Sequence, residues 1–123
     1  MGDVDLGRRR ILVVEDDFLL AAGITDQIED HNGIVLGPAI TLAEGIDMLR
    51  REKPDACILN IRLGPDMVYP LADKLLAAGI PFVFASGEHR SSIPHRFKDV
   101  PLHSKPIEMV HAAVGLIRPR AEL

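Results

Sequence analysis

The sequence predicts an α/β fold: a doubly wound, five-stranded parallel sheet in the order 2-1-3-4-5, with helices on both faces. Three observations carry this. Apolar runs of strand length alternate with amphipathic stretches of helix length along the 123 residues. That alternation requires right-handed crossovers, hence parallel strands covered on both sides. The prolines then mark the edges, because proline cannot donate to a ladder. Pro38 falls at the end of the second strand and Pro101 within the fifth, whereas the first, third and fourth strands are the most apolar and contain none.

The elements follow in order. Ile11-Leu12-Val13-Val14 reads as the first strand, and Phe18 to Asp30 as a helix with Ala21, Ile24 and Ile28 on one face. His31-Asn32-Gly33 ends it, with Gly33 as the expected left-handed cap. Ile34-Val35-Leu36 is the second strand, closed by Gly37-Pro38. Thr41-Leu42-Ala43-Glu44 forms a capping box, opening a helix whose stripe is Leu42, Ile46 and Leu49 and which Pro54 breaks. Ala56 to Leu59 is the third strand, Asn60 to Asp66 a loop, and Met67 to Ala78 a helix ended by Gly79. Phe82 to Ala85 is the fourth strand. Glu88 to Lys98 makes a poor fourth helix, interrupted by Ser91, Ser92 and Pro94. Val100 to His103 is the fifth strand, and Pro106 starts a last helix with Ile107, Val110, Val114 and Ile117 at helical spacing.

The length fits one domain over residues 1–123, with a core of about 8–118 and short flexible ends. Apolar residues are 47% and charged residues 26%, an ordinary globular balance. A net charge of −4 carries no footprint for nucleic acid, and Arg8 to Arg10, Arg118 and Arg120 read as solvated chain ends. Cys57 is the single cysteine, so no internal disulfide forms, which suits a reducing compartment. No apolar stretch approaches the ~18 residues of a membrane span. Met1 to Leu6 lacks the apolar core of a signal peptide. A cytoplasmic protein without membrane contact is expected.

In an open parallel sheet, sites form beyond the carboxyl ends of the central strands. Glu15-Asp16-Asp17 follows the first strand, Asn60 the third, Ser86-Gly87 the fourth, and Lys105-Pro106 the fifth. Paired carboxylates at one strand end attract a hard cation such as magnesium, to which Asn60 could add a carbonyl oxygen. Ser86 could offer a hydroxyl to a phosphoryl oxygen, and Lys105 a positive charge opposite the acids. Singly, each residue has an ordinary explanation: a helix cap for Asp16 or Asp17, a turn for Ser86, a loop for Asn60, a solvated surface for Lys105. Their joint placement at carboxyl ends does not.

Ile-Leu-Val-Val-Glu-Asp-Asp at 11–17, Ser86-Gly87 and Lys105-Pro106 resemble the motifs of response-regulator receiver domains, over about residues 8 to 118. Val68-Tyr69-Pro70-Leu71-Ala72-Asp73 is similar to a sub-group of bacterial single-domain receivers. The resemblance implies the flavodoxin-like receiver fold and a place in a two-component phosphorelay. It makes Glu15 and Asp16 the magnesium-binding acids, completed by the backbone carbonyl of Arg62. It makes Ser86 and Lys105 the residues that contact the phosphoryl group. A histidine kinase or phosphotransfer protein is the implied partner, and helix 4, strand 5 and helix 5 the implied face for a downstream target or self-dimer.

Two positions depart from the family. Asn60 stands at the phosphoacceptor position, and a neutral carboxamide cannot make an acyl phosphate. It also removes a negative charge, so magnesium affinity should fall. Leu102 stands where an aromatic switch residue is usual. The expected function is therefore a receiver acting through protein contacts, not an enzyme and not phosphorylated at Asn60. Two alternatives are weaker. A flavodoxin-type small-molecule module needs a phosphate-cradling loop after the first strand, where Glu15-Asp16-Asp17 would repel phosphate. A phosphatase-like enzyme could use Asp16 or Asp17 as nucleophile but lacks residues for a cap or substrate pocket. None of His31, His89, His95, His103 and His111 has metal-ligand spacing, and Cys57, Phe82, Phe84 and Tyr69 read as packing residues.

Overall fold

A computed structural model describes residues 5–104 of the chain. The expected last helix, with His111, Arg118 and Arg120 beyond or within it, lies outside these residues, as does Lys105. The main sheet contains β1 (Arg10–Val14), β2 (Ile34–Ala39), β3 (Ala56–Leu59), β6 (Phe82–Ala85) and β7 (Leu102–His103), in the order β2-β1-β3-β6-β7 with every pairing parallel. Two further strands, β4 (Arg62–Leu63) and β5 (Asp66–Met67), pair only with each other as an antiparallel hairpin. With that hairpin set aside, the order is the expected 2-1-3-4-5, and the proline-bearing strand β2 is at one edge. Pro101 sits just before β7 and contributes only its carbonyl, which accepts from the Phe84 amide at 2.9 Å.

Alternating side chains of the central strands fill two cores. Leu12, Val14, Cys57, Leu59, Phe82 and Phe84 face one side, with Leu71, Ala72 and Leu75 of α3 (Tyr69–Ala78). Ile11, Val13, Ala56, Ile58, Val83 and Ala85 face the other, with Ile24 and Ile28 of α1 (Phe18–Asp30). Burial on both faces explains why these strands read as continuous apolar runs. The second helix, α2 (Leu42–Glu52), packs Leu42, Ile46 and Leu49 half-buried; its buried residue is Gly45, where a Cβ would stand 2.9 Å from Leu71 Cδ2.

Four local expectations change. Asn32, not Gly33, takes the left-handed conformation after α1 (φ 66°). Gly33 is needed for space: a Cβ there would lie 2.5 Å from Ile28 Cγ2 and 2.7 Å from Leu6 Cδ1. The capping box is offset, because the Glu44 amide donates to Thr41 Oγ1 at 3.1 Å while Glu44 Oε1 accepts from the Ile40 amide at 2.8 Å rather than from Thr41. The loop after β3 is the β4–β5 hairpin, turning at Gly64 (φ 60°); it takes Met67, so α3 begins at Tyr69. The fourth helix is absent from the described residues. In its place are two single turns of 3₁₀ helix, Arg90–Ser92 and His95–Phe97. Pro94 forces Ile93 into an extended conformation (φ −92°, ψ 132°), which separates them. Phe97 is fully buried and Arg90 donates to the carbonyls of Phe97 and Val100, so the segment is anchored without being an α-helix.

Candidate functional site

The site grows from the carboxyl ends of β1 and β3. Beyond β1, Glu15 is held by its amide bond to the Ala39 carbonyl (2.9 Å) and is 1% exposed, a buried carboxylate. Asp17 turns the chain into α1: its Oδ1 accepts from the Leu20 amide at 3.1 Å, so it is the helix cap. Its own amide donates to Glu15 Oε2 at 3.0 Å. Asp16 lies between these two and projects to the hairpin, where its Oδ2 accepts from the Gly64 amide at 2.9 Å.

Asn60 follows β3, fixed by its amide bond to the Val14 carbonyl at 2.8 Å. Its side chain carries the central observation. Asn60 Nδ2 donates to the Arg62 carbonyl at 2.7 Å, to Asp16 Oδ1 at 3.2 Å and to Glu15 Oε2 at 3.3 Å. All three partners are acceptors only, so the amide nitrogen, not the amide oxygen, must face them. The sequence-predicted metal set of Glu15, Asp16, Asn60 and the Arg62 carbonyl is thus brought together, with the –NH₂ group at the point where the three other oxygens converge. Those oxygens have the hard-donor chemistry of a magnesium site; the nitrogen in their midst does not. Among the described residues no cluster of three or more His, Cys, Asp or Glu side chains is arranged to hold a metal.

Ser86 follows β6 and is 4% exposed. Its amide donates to the His103 carbonyl at 2.9 Å, and its Oγ accepts from the Glu88 amide at 3.3 Å. Since Leu59 pairs with Phe84, Asn60 is level with Ala85 and Ser86 sits one residue further along the adjacent strand end. Leu102 pairs with Phe84 and is half-buried.

The pairing of Arg62 had no signal in the sequence, whereas Tyr69 packs as expected. Arg62 of the hairpin reaches Glu88 beyond β6 (3.6 Å), an ion pair that spans the rim of the site. Tyr69, at the start of α3, stacks on Phe97 (5.5 Å between ring centres, 20°) and meets Phe84 edge-on (6.2 Å, 87°). Burial holds its phenol above the ordinary range, and the nearby Glu88 carboxylate adds to the rise. Its hydroxyl has no hydrogen-bond partner among the described residues.

No family model matches the sequence, and no curated protein matches it. Solved structures do. SdrG from Sphingomonas melonis Fr1 is 32% identical, over 94% of this chain and 98% of that one, with a TM-score of 0.76. The signal receiver domain of a modulated diguanylate cyclase from Desulfovibrio desulfuricans G20 is 26% identical, over 87% and 90% of the two chains, with a TM-score of 0.74. The response regulator PhyR from Brucella abortus is 24% identical at a TM-score of 0.72; the match covers 91% of this chain but only 48% of PhyR. Fold, identity and near-complete coverage agree, and the chain belongs to the signal receiver domains of response regulators.

Proposed function

We propose that this chain is a receiver of a two-component phosphorelay that is not phosphorylated at its acceptor position and acts through protein–protein contact in the cytoplasm. The observation that carries this is the Asn60 carboxamide, which stands where an acceptor carboxylate would and donates to both acids of the site. An acyl phosphate requires a carboxylate oxygen as nucleophile. The nitrogen of an amide has its lone pair delocalised and is committed here as a donor. Glu15, Asp16 and the Arg62 carbonyl are the magnesium set retained with weakened affinity, and Ser86 and Lys105 the retained phosphoryl-contact positions.

The catalytic alternative loses support from the same geometry. Asp17 is used as a cap, and Asp16 accepts from Asn60 and from the Gly64 amide, which supports a structural use of each. The acidic turn after β1 likewise opposes flavodoxin-type phosphate binding. The kinase or phosphotransfer partner has an apolar surface to meet beside the site: Phe18 and Leu19 of α1 are 82% and 79% exposed, and Ile40 is 52% exposed. The output face runs through the 3₁₀ segment and β7, toward a downstream protein or a second copy. Incubation with a small phosphodonor and magnesium, read by intact mass, tests the proposal. An unchanged mass is expected; a stoichiometric phosphoryl adduct would sink it.

A further inference from the structure

We propose that the Asn60 carboxamide is a built-in replacement for the divalent cation: it assembles the acidic pair and the hairpin carbonyl without metal, and it competes with magnesium for the same point. The inference rests on reading residue 60 as the acceptor position. A cation at the centre of a receiver site would draw Glu15, Asp16 and the Arg62 carbonyl inward. Here one –NH₂ group is within 3.3 Å of an oxygen from each of the three. Two protons shared among three acceptors, two of them carboxylates, form a charge-assisted cluster. The cluster ties β1, β3 and the β4–β5 hairpin together, and the Gly64 amide bond to Asp16 fastens the hairpin from its other side.

Metal binding must dismantle this arrangement. A magnesium ion takes oxygens at about 2.0–2.1 Å, and the –NH₂ group holds the point where those oxygens converge, with its positively polarised hydrogens in the cation's place. Turning the amide over would present Asn60 Oδ1 to the same oxygens and break up to three hydrogen bonds. An aspartate at this position reverses the logic, since a third carboxylate among acceptors needs a cation to hold the site closed.

Thermal unfolding of the full chain, Asn60→Asp and Asn60→Ala, in EDTA and across a titration of magnesium chloride, tests this. The expected result has three parts. This chain melts at the same temperature in EDTA and in magnesium. Asn60→Asp melts lower in EDTA and recovers saturably with magnesium, a response this chain lacks over the same titration. Asn60→Ala melts lower than this chain in EDTA. Saturable magnesium stabilisation of this chain matching that of Asn60→Asp overturns the proposal, and so does an Asn60→Ala chain as stable as this one in EDTA. The Asn60 side-chain N–H₂ resonances give a readout that needs no variant: they should stay in place on adding magnesium, and their displacement contradicts the inference. A phosphoryl adduct on another residue would defeat the proposed function while leaving these results intact, so the two failures are separable.

Discussion

Tyr69 is the single tyrosine of a chain with no tryptophan, so its ionisation can be read alone by ultraviolet absorbance. Burial raises its pKa above 10.0, with Glu88 adding to the effect. The folded state therefore holds the phenolic proton more tightly than the unfolded state. The stability this gives is complete below pH 10 and is lost as pH rises through the higher folded value. Absorbance should titrate above pH 10 in the folded protein, and Tyr69→Phe should remove that alkaline loss. Because the hydroxyl lacks a partner among the described residues, Tyr69→Phe should also leave neutral-pH stability unchanged or raise it by up to about 1 kcal/mol, measured by urea unfolding. A loss above that range would mean the hydroxyl has a partner. At this scale the sequence was informative on placement: Glu15, Asp16, Asn60 and Ser86 stand beyond the carboxyl ends of their strands as expected, and the first three meet. It was silent on the Arg62–Glu88 pair, because contact between residues of separate loops leaves no periodic trace.

The elements were most legible where burial and capping agree. Helix α1 runs over the expected residues because Asp17 caps it and Ala21, Ile24 and Ile28 recur on its buried face. Short irregular segments were not legible: the β4–β5 hairpin is two residues a side, and the 3₁₀ turns around Pro94 owe their place to Phe97 and Arg90 rather than to local propensity. Gly33 illustrates the same limit, since its role is set by Leu6 and Ile28 pressing on it from elsewhere. Gly33→Ala should therefore cost about 1–3 kcal/mol in urea unfolding, as overpacking of a tight contact does. Asp73 of α3 and Arg96 of the second 3₁₀ turn form a forked ion pair at 2.7 and 3.1 Å, and the guanidinium lowers the Asp73 pKa below 3.8. That contribution exists above pH 3.8 and disappears as pH falls through the lower folded value. The pair is exposed, so Arg96→Ala should cost less than about 1 kcal/mol at neutral pH.

Across the whole molecule, the cores on the two faces of the sheet stand or fall together, and Cys57 reports on them. It is fully buried in β3 between Leu12 and Phe82, and burial pushes its thiol far above the usual range. A thiol reagent should label it only through global unfolding, and labelling should accelerate with urea in step with the loss of ellipticity. Rapid labelling in the native state would show that the sheet opens locally. The fold class was readable in advance because β-α alternation acts over the whole chain; of the two prolines that marked the sheet edges, Pro38 lies in edge strand β2 while Pro101 stands just before β7. No helix among the described residues is long and apolar enough to cross a membrane.

The most direct test of the account compares this chain with Asn60→Asp after incubation with a small phosphodonor and magnesium, each read by intact mass. The account predicts one phosphoryl adduct on Asn60→Asp and none on this chain, since the two differ only in whether residue 60 offers a nucleophilic oxygen. An adduct on this chain would place the nucleophile elsewhere and contradict the reading of Asn60, and the absence of an adduct on both would show that more than this one side chain separates the site from a working receiver.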